Sequence, residues 1–410
     1  MDPITHAAAG AVAMLALRRR PPYSVLAGAL AAAAPDADIL FGSDPLNMLL
    51  LHRGITHALP AVPVFAVLLA LLALPLLWRG SPGRLCLSSS TPTRWRFSSV
   101  WLCMACMLLL HIWLDCVTSY GTMMFLPFSS ARVRLNGVFI IDILLTLPLL
   151  WILWRCRASR RRSYREKRAA LRAARLGLCW VFCYPLLGVG LNALHTAHVT
   201  ETLRADAARR GSVVERVVVL PDAFAPFFWR VLWREHPEGA AAVSALDVLA
   251  HAGMPAANGA VVRCAGLNAF GRLRTSFSEP RPAMPQAAAA ALGAQSVEAA
   301  VFFDFSVLPV LDVLPEEYRN GTLPPDVPQW RSYDLRFGSS LAFVRRLMAL
   351  RPHADIPFQF FFAVDPGARG ADPHLRSVRL RFSDSRRDSG WILPAEPRAV
   401  SPLRALAGLR

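Results

Sequence analysis

The sequence predicts an α-helical multi-pass membrane domain over residues 1–198, followed by a β-rich (α+β) soluble extracytoplasmic domain over residues 199–410. Two observations carry this reading. Long uncharged apolar runs fill the first half, whereas after His195 and His198 the composition shifts to Pro, Arg and short alternating runs. The whole chain, at 54% hydrophobic residues and a mean hydropathy of +0.36, is too apolar for an ordinary soluble protein of 410 residues.

The first two apolar stretches, 7–17 and 24–34, are joined by Arg18-Arg19-Arg20-Pro21-Pro22. Each is too short to cross a hydrocarbon core of about 30 Å, so together they predict a short helical hairpin dipping into the protein. Positive charge follows the first stretch instead of preceding it, which argues against a cleavable signal peptide. Four further segments, 58–78, 100–118, 138–154 and 176–194, are long enough or nearly so to span. In the second half, 212–220, 227–234, 331–337, 357–364 and 377–382 read as strands, rich in Val, Phe, Trp and Leu. The Ala-rich stretch 284–301 reads as a helix or a connector.

Charge placement gives an orientation. The loop 79–96 holds four arginines, and the stretch 155–175 holds ten basic residues against the single acid Glu166. Both are expected on the cytoplasmic side. The last membrane helix then leads outward, placing the second domain outside the cytoplasm. The net charge of +17 does not imply nucleic-acid binding, because the basic residues flank apolar segments and no recognition motif accompanies them. The eight cysteines suggest no disulfide framework, and Cys103-x-x-Cys106 reads as small helix residues.

Against this apolar background stand His6, Asp36, Asp38, His52, His57, His111, Asp115 and Asp142. Ionisable groups in membrane-length segments are costly, so such a set marks a functional site. With the orientation above, all eight converge on the outer side of the membrane. His111 and Asp115, at i and i+4, share one helix face. Asp36 and Asp38, in Ala-Pro-Asp-Ala-Asp, are expected to converge from a turn, since Pro35 weakens helical continuation. His52 and His57 fall on different faces of a regular helix, so their convergence needs a turn at Gly54. Arg132 and Arg134 lie in the outer loop near the site, as interfacial arginines or anion-holding groups. His195 and His198 are expected to be structural at the membrane interface, and His236, His251, His353 and His374 receive no role.

The motifs PDAD, HRGITH, HxxxD, SYGT with a following PF, and FIID run in order from His6 to Asp142. They resemble those of the bacterial membrane-bound metal-dependent hydrolases of the YdjM and YfhP type. The resemblance implies an integral-membrane protein of the bacterial inner membrane with a His/Asp metal site and hydrolase activity. Relatives of the YfhP type often carry Pro after the last Asp; here Ile143 follows Asp142, a difference confined to the local turn.

Mixed imidazole and carboxylate donors suit one or two divalent ions, zinc or manganese foremost and iron as a further option. The expected ligands are His6, Asp36, Asp38, His52, His57, His111 and Asp115, with Asp142 as a ligand or supporting catalytic group. Arg53 is the candidate for stabilising an anionic transition state, with Thr56 and Tyr120 as hydrogen-bonding helpers. The expected substrate is lipid-linked or amphiphilic, most readily a phosphoester, and membrane lipid is the expected partner. Two competing classes are a cation- or proton-handling transporter and a catalytically silent scaffold stabilised by metal. The sequence shows no internal repeat of the kind transporters carry.

Overall fold

The computed structural model describes residues 1–18, 21, 23–42, 44–79, 96–157, 163–240, 249, 259–276, 279–349, 358–365, 374–381 and 388–394. The expected arginine-rich turns fall partly outside these residues, as do His251 and His353. Contacts divide the chain into two compact units, Met1–Leu40 with His52–Leu191 and Ala223–Pro226, and Phe41–Leu51 with Asn192–Asp222 and Phe227–Arg410.

The first unit is helical. Helix α1 (Pro3–Leu15) is capped by Asp2, whose carboxylate accepts the Thr5 amide at 3.0 Å, and Pro3 occupies its first position. It packs on α2 (Ser24–Ala33). The two backbones approach closely because Gly10 and Gly28 face each other: a Cβ on Gly10 would lie 2.5 Å from the Ala32 methyl and inside the Gly28 carbonyl. After α2 the chain tightens into a 3₁₀ helix, Ala34–Phe41. Pro35 does not end the helical segment, because its missing N–H and fixed φ are tolerated where one ladder gives way to another.

Helix α4 (Val62–Arg79) packs on α5 (Phe97–Cys116), and α6 (Ile143–Arg157) lies against α1. Asp142 starts α6 by accepting the Leu145 amide at 3.0 Å. The apolar segment expected from residue 138 therefore becomes helical only at Ile143 and has 15 residues, about 22 Å of helix. Helix α7 (Tyr164–Arg209) is much longer than the expected 176–194, with 46 residues. By length and composition four described helical segments can cross a membrane: Ser24–Phe41, Leu59–Leu77, Phe97–Cys116 and Tyr164–Arg209. The expected pairing of the first two apolar stretches is present as α1 on α2, the second continuing through the 3₁₀ helix to Phe41, and α6 falls short of spanning length. The unit's core is Ala-, Leu- and Met-rich, with Val12, Met14, Met104, Leu108 and Leu149 buried.

The second unit is β-rich. Strands β1 (Ser212–Pro221), β2 (Phe228–Pro237), β3 (Val261–Asn268) and β4 (Leu273–Ser276) form one antiparallel sheet, with β5 (Arg281–Pro282) also pairing β3. A second antiparallel sheet runs β6 (Pro309–Val313), β7 (Gln329–Asp334), β8 (Gln359–Asp365) and β9 (His374–Arg381). Leu232, Val262 and Cys264 of one sheet share a core with Val310 and Tyr333 of the other. The stretch 284–301 holds two helices, α8 (Gln286–Gln295) and α9 (Val297–Phe305), broken at Ser296, whose hydroxyl caps α9. A short helix, α10 (Ala342–Ala349), follows β7. Helix α3 (Pro45–Leu51) belongs to this unit and packs on α9 and β9.

Candidate metal centre

Four elements of the first unit bring the polar residues together. Helix α1 contributes His6, the 3₁₀ helix Asp36 and Asp38, the turn after α3 His52, Arg53 and His57, and α5 His111 and Asp115. His6, His57, His111 and Asp115 have no exposed surface, while Asp36 and His52 retain 8% each.

The turn expected at Gly54 is made by two residues. Arg53 adopts φ +57°, and Gly54 takes φ −93°, ψ −128°, a conformation glycine tolerates. This reversal brings His52 and His57 within 6.0 Å of each other, centre to centre.

His6, Asp36, His111 and Asp115 each offer a ligand atom, and these atoms all lie within 4.8 Å of one another. His57 joins them: its Nε2 lies 3.2 Å from Asp115 Oδ2, 3.7 Å from Asp36 Oδ1 and 2.9 Å from His111 Nε2. The rings of His6 and His111 stack at 3.8 Å.

Hydrogen bonding on the far side of the His111 and His57 rings fixes their tautomers. His111 Nδ1 lies 2.6 Å from the Ala32 carbonyl, which only accepts, so Nδ1 carries the proton and Nε2 of the neutral ring is bare. His57 Nδ1 faces Thr56 Oγ1 at 2.9 Å and Asp38 Oδ2 at 3.3 Å, with the same consequence. Two bare nitrogens 2.9 Å apart repel unless a cation lies against both. The carboxylates agree: Asp36 Oδ1 and Oδ2 and Asp115 Oδ2 are buried without a hydrogen-bond partner, a costly state for a carboxylate lacking a cation. Nitrogen and carboxylate-oxygen donors in this proportion are those of zinc and manganese sites. The residues fit a divalent metal ion, and the group can hold one.

Asp38 and His52 stand one step out. Positions i and i+2 of a 3₁₀ helix point about 120° apart, so Asp36 and Asp38 do not converge as expected of a turn. Asp38 Oδ1 meets His52 Nδ1 at 2.9 Å, and Oδ2 accepts the Thr56 hydroxyl at 2.9 Å. Burial lowers the basicity of His52. His57 is likewise penalised by burial, but the neighbouring Asp115 and Asp36 carboxylates outweigh that and raise its pKa.

Arg53, 1% exposed, reaches Asp115 Oδ1 at 3.1 Å with Nη2 and donates from Nη1 to Thr118 Oγ1 at 2.9 Å. Its guanidinium stacks over Tyr120, 4.8 Å from the ring centre. The Met1 amino group is also paired with Asp115. Asp142 sits elsewhere in the unit: its carboxylate accepts from the Tyr184 hydroxyl, 3.0 Å from each oxygen, and from the Leu145 amide. Arg134 Nε donates to the Tyr120 carbonyl at 3.3 Å, so one of the two arginines of that loop is anchored to the residue that covers Arg53. His195 packs against Trp229 in the second unit, with ring centres 5.4 Å apart.

Sequence reasoning missed three partners. The Ala32 carbonyl is backbone and carries no sequence signal. Thr118 holds Arg53 from one turn beyond Asp115. Tyr184, in a largely apolar stretch of α7, was detectable as an isolated polar group whose hydroxyl needs a buried partner.

Apolar helices of spanning length and a buried His/Asp group that could hold a metal ion together point to a membrane protein. Residues 1–197 match the family model of the YdjM inner membrane proteins. No curated protein and no solved structure matches the chain.

Proposed function

We propose that this protein is an inner-membrane metal-dependent hydrolase acting on a lipid-linked or amphiphilic substrate, with a phosphoester as the bond cleaved. The observation that carries the reading is the pair of bare Nε2 atoms of His57 and His111 facing the unpartnered carboxylate oxygens of Asp36 and Asp115. His6, Asp36, His57, His111 and Asp115 would hold the ion, zinc or manganese. A divalent ion in such a site supplies Lewis acidity and a water acidified enough to attack near neutral pH. Arg53 supplies a fixed positive charge beside the ligands, available to an anionic substrate oxygen while Asp115 and Thr118 hold its fork in place. Asp36 and His52, the least enclosed members, mark the side from which substrate enters. Asp142 is outside this group and supports α6 against α1 through Thr146, whose hydroxyl meets Thr5 at 2.6 Å.

A site built among helices of spanning length supports a lipid-like substrate, and the basic stretches 79–96 and 155–175 support an outward-facing second unit. Purified protein supplied with zinc or manganese is expected to release phosphate or a phosphorylated headgroup from lipid phosphates, with Arg53→Met reducing turnover while metal stays bound. Metal-loaded protein without turnover on a panel of phospholipids and lipid phosphates contradicts the reading. A reporter joined after Arg410 is expected to be active only outside the cytoplasm, and activity inside reverses the orientation.

A further inference from the structure

We propose that Asp38 is the positioning residue of this metal centre: its carboxylate grips the outer edges of His52 and His57 and aims His57 Nε2 at the ion, without itself ligating it. The inference rests on the metal reading above. The two aspartates of the 3₁₀ helix are in opposite situations. Both oxygens of Asp36 lack a hydrogen-bond partner and face the Nε2 atoms of His6, His57 and His111 at 3.6 to 3.9 Å. Both oxygens of Asp38 are engaged, Oδ1 by His52 Nδ1 at 2.9 Å and Oδ2 by the Thr56 hydroxyl at 2.9 Å.

Thr56 completes a relay. Its single hydrogen goes to Asp38, so its oxygen is left to accept, and His57 Nδ1 lies 2.9 Å from it. The proton on His57 is thereby held at Nδ1 by Thr56 and, at 3.3 Å, by Asp38 itself. A carboxylate behind a ligating imidazole fixes ring and tautomer and strengthens the nitrogen as a donor. The same carboxylate ties His52 to His57, so one acid spans the two histidines of the His-Arg-Gly-Ile-Thr-His turn. The five-residue spacing between them follows: one histidine reaches the ion, and the other closes the far side of Asp38.

The test is cobalt(II) titration of the full chain in detergent, followed by the visible absorption of the bound ion, on wild type, Asp38→Asn, Asp38→Glu, Thr56→Val and Asp36→Asn. Asp38→Asn is expected to bind as many ions as wild type with roughly 10- to 100-fold weaker affinity and an altered spectrum. Asp38→Glu, which keeps the acceptor, is expected to recover part of that loss, whereas Asp36→Asn removes a ligand and abolishes tight binding. Should Asp38→Asn fail to fold, Thr56→Val breaks the same relay with less disturbance and must weaken cobalt binding. Wild-type affinity and spectrum in Asp38→Asn or, if that variant is unfolded, in Thr56→Val overturn the positioning role. Loss as complete as in Asp36→Asn makes Asp38 a ligand and also overturns it. A wild type that takes up no cobalt overturns the metal reading and this inference together.

Discussion

The Nε2 atoms of His57 and His111 lie 2.9 Å apart, and each ring has its Nδ1 proton committed elsewhere, to Thr56 and Asp38 in one case and to the Ala32 carbonyl in the other. Neither neutral ring has a proton to offer the other. A cation is the simplest group that reconciles two such lone pairs, and the carboxylates around them supply the balancing charge.

Metal affinity is expected to fall in acid. Binding requires neutral imidazoles, whose ordinary pKa is about 6.5, so protons compete with the ion below that value. Burial alone would push the His57 pKa down, but the Asp115 and Asp36 carboxylates raise it. Its proton therefore begins to compete at a higher pH than that of an ordinary histidine. Competition titrations between pH 8 and pH 5.5 should show affinity declining by about tenfold per pH unit per protonating histidine. A pH-independent affinity contradicts the imidazole ligation.

Packing of the first two helices depends on Gly10. A side chain there meets the Gly28 carbonyl and the Ala32 methyl, so Gly10→Val is expected to destabilise the protein by about 1–3 kcal/mol, the usual cost of overpacking. Gly190 is the control, since a Cβ there meets nothing within 4 Å. Gly190→Ala should leave thermal unfolding in detergent unchanged or slightly raised, while Gly10→Val lowers it. Equal behaviour of the two variants contradicts the packing described.

In the second unit Asp222, fully buried, accepts from Ser339 Oγ and the Ser340 amide at 2.6 Å each and lies 3.9 Å from Arg230 Nε. Asp222→Ala removes the carboxylate facing the buried Arg230 guanidinium and the acceptor of the Ser339 and Ser340 donors, a loss of about 3–5 kcal/mol. Denaturation of this unit should move sharply while bound metal per chain stays the same. Unchanged stability contradicts the buried pairing.

The sequence exposed the site's membership better than its geometry. His111 and Asp115 were legible because helical spacing alone puts i and i+4 together. His6, Asp36 and His57 were legible as costly polar groups in apolar sequence. The division between Asp36 and Asp38 was hidden, because it depends on a 3₁₀ instead of an irregular turn after Pro35. Asp142 was grouped with the site by its depth, whereas its contacts are those of a helix start with Tyr184.

In the second half the strands rich in Val, Phe and Trp were visible, but β3 was not. Its Val-Val-Arg-Cys-Ala-Gly-Leu-Asn run has small residues where a strand usually shows bulk, since it lies between β2 and β4 with most of it buried. Helix α3 was also hidden, because nothing in Pro-Leu-Asn-Met-Leu-Leu-Leu says that it packs with the distant α9.

The most direct test of the central claim is the metal content of the purified full chain, measured by elemental analysis after exposure to zinc and manganese and removal of free ions. The account predicts at least one tightly held divalent ion per chain in the wild type and loss of that ion in both Asp36→Asn and His111→Ala. A folded wild type that retains no metal, or variants that retain as much as wild type, would contradict it.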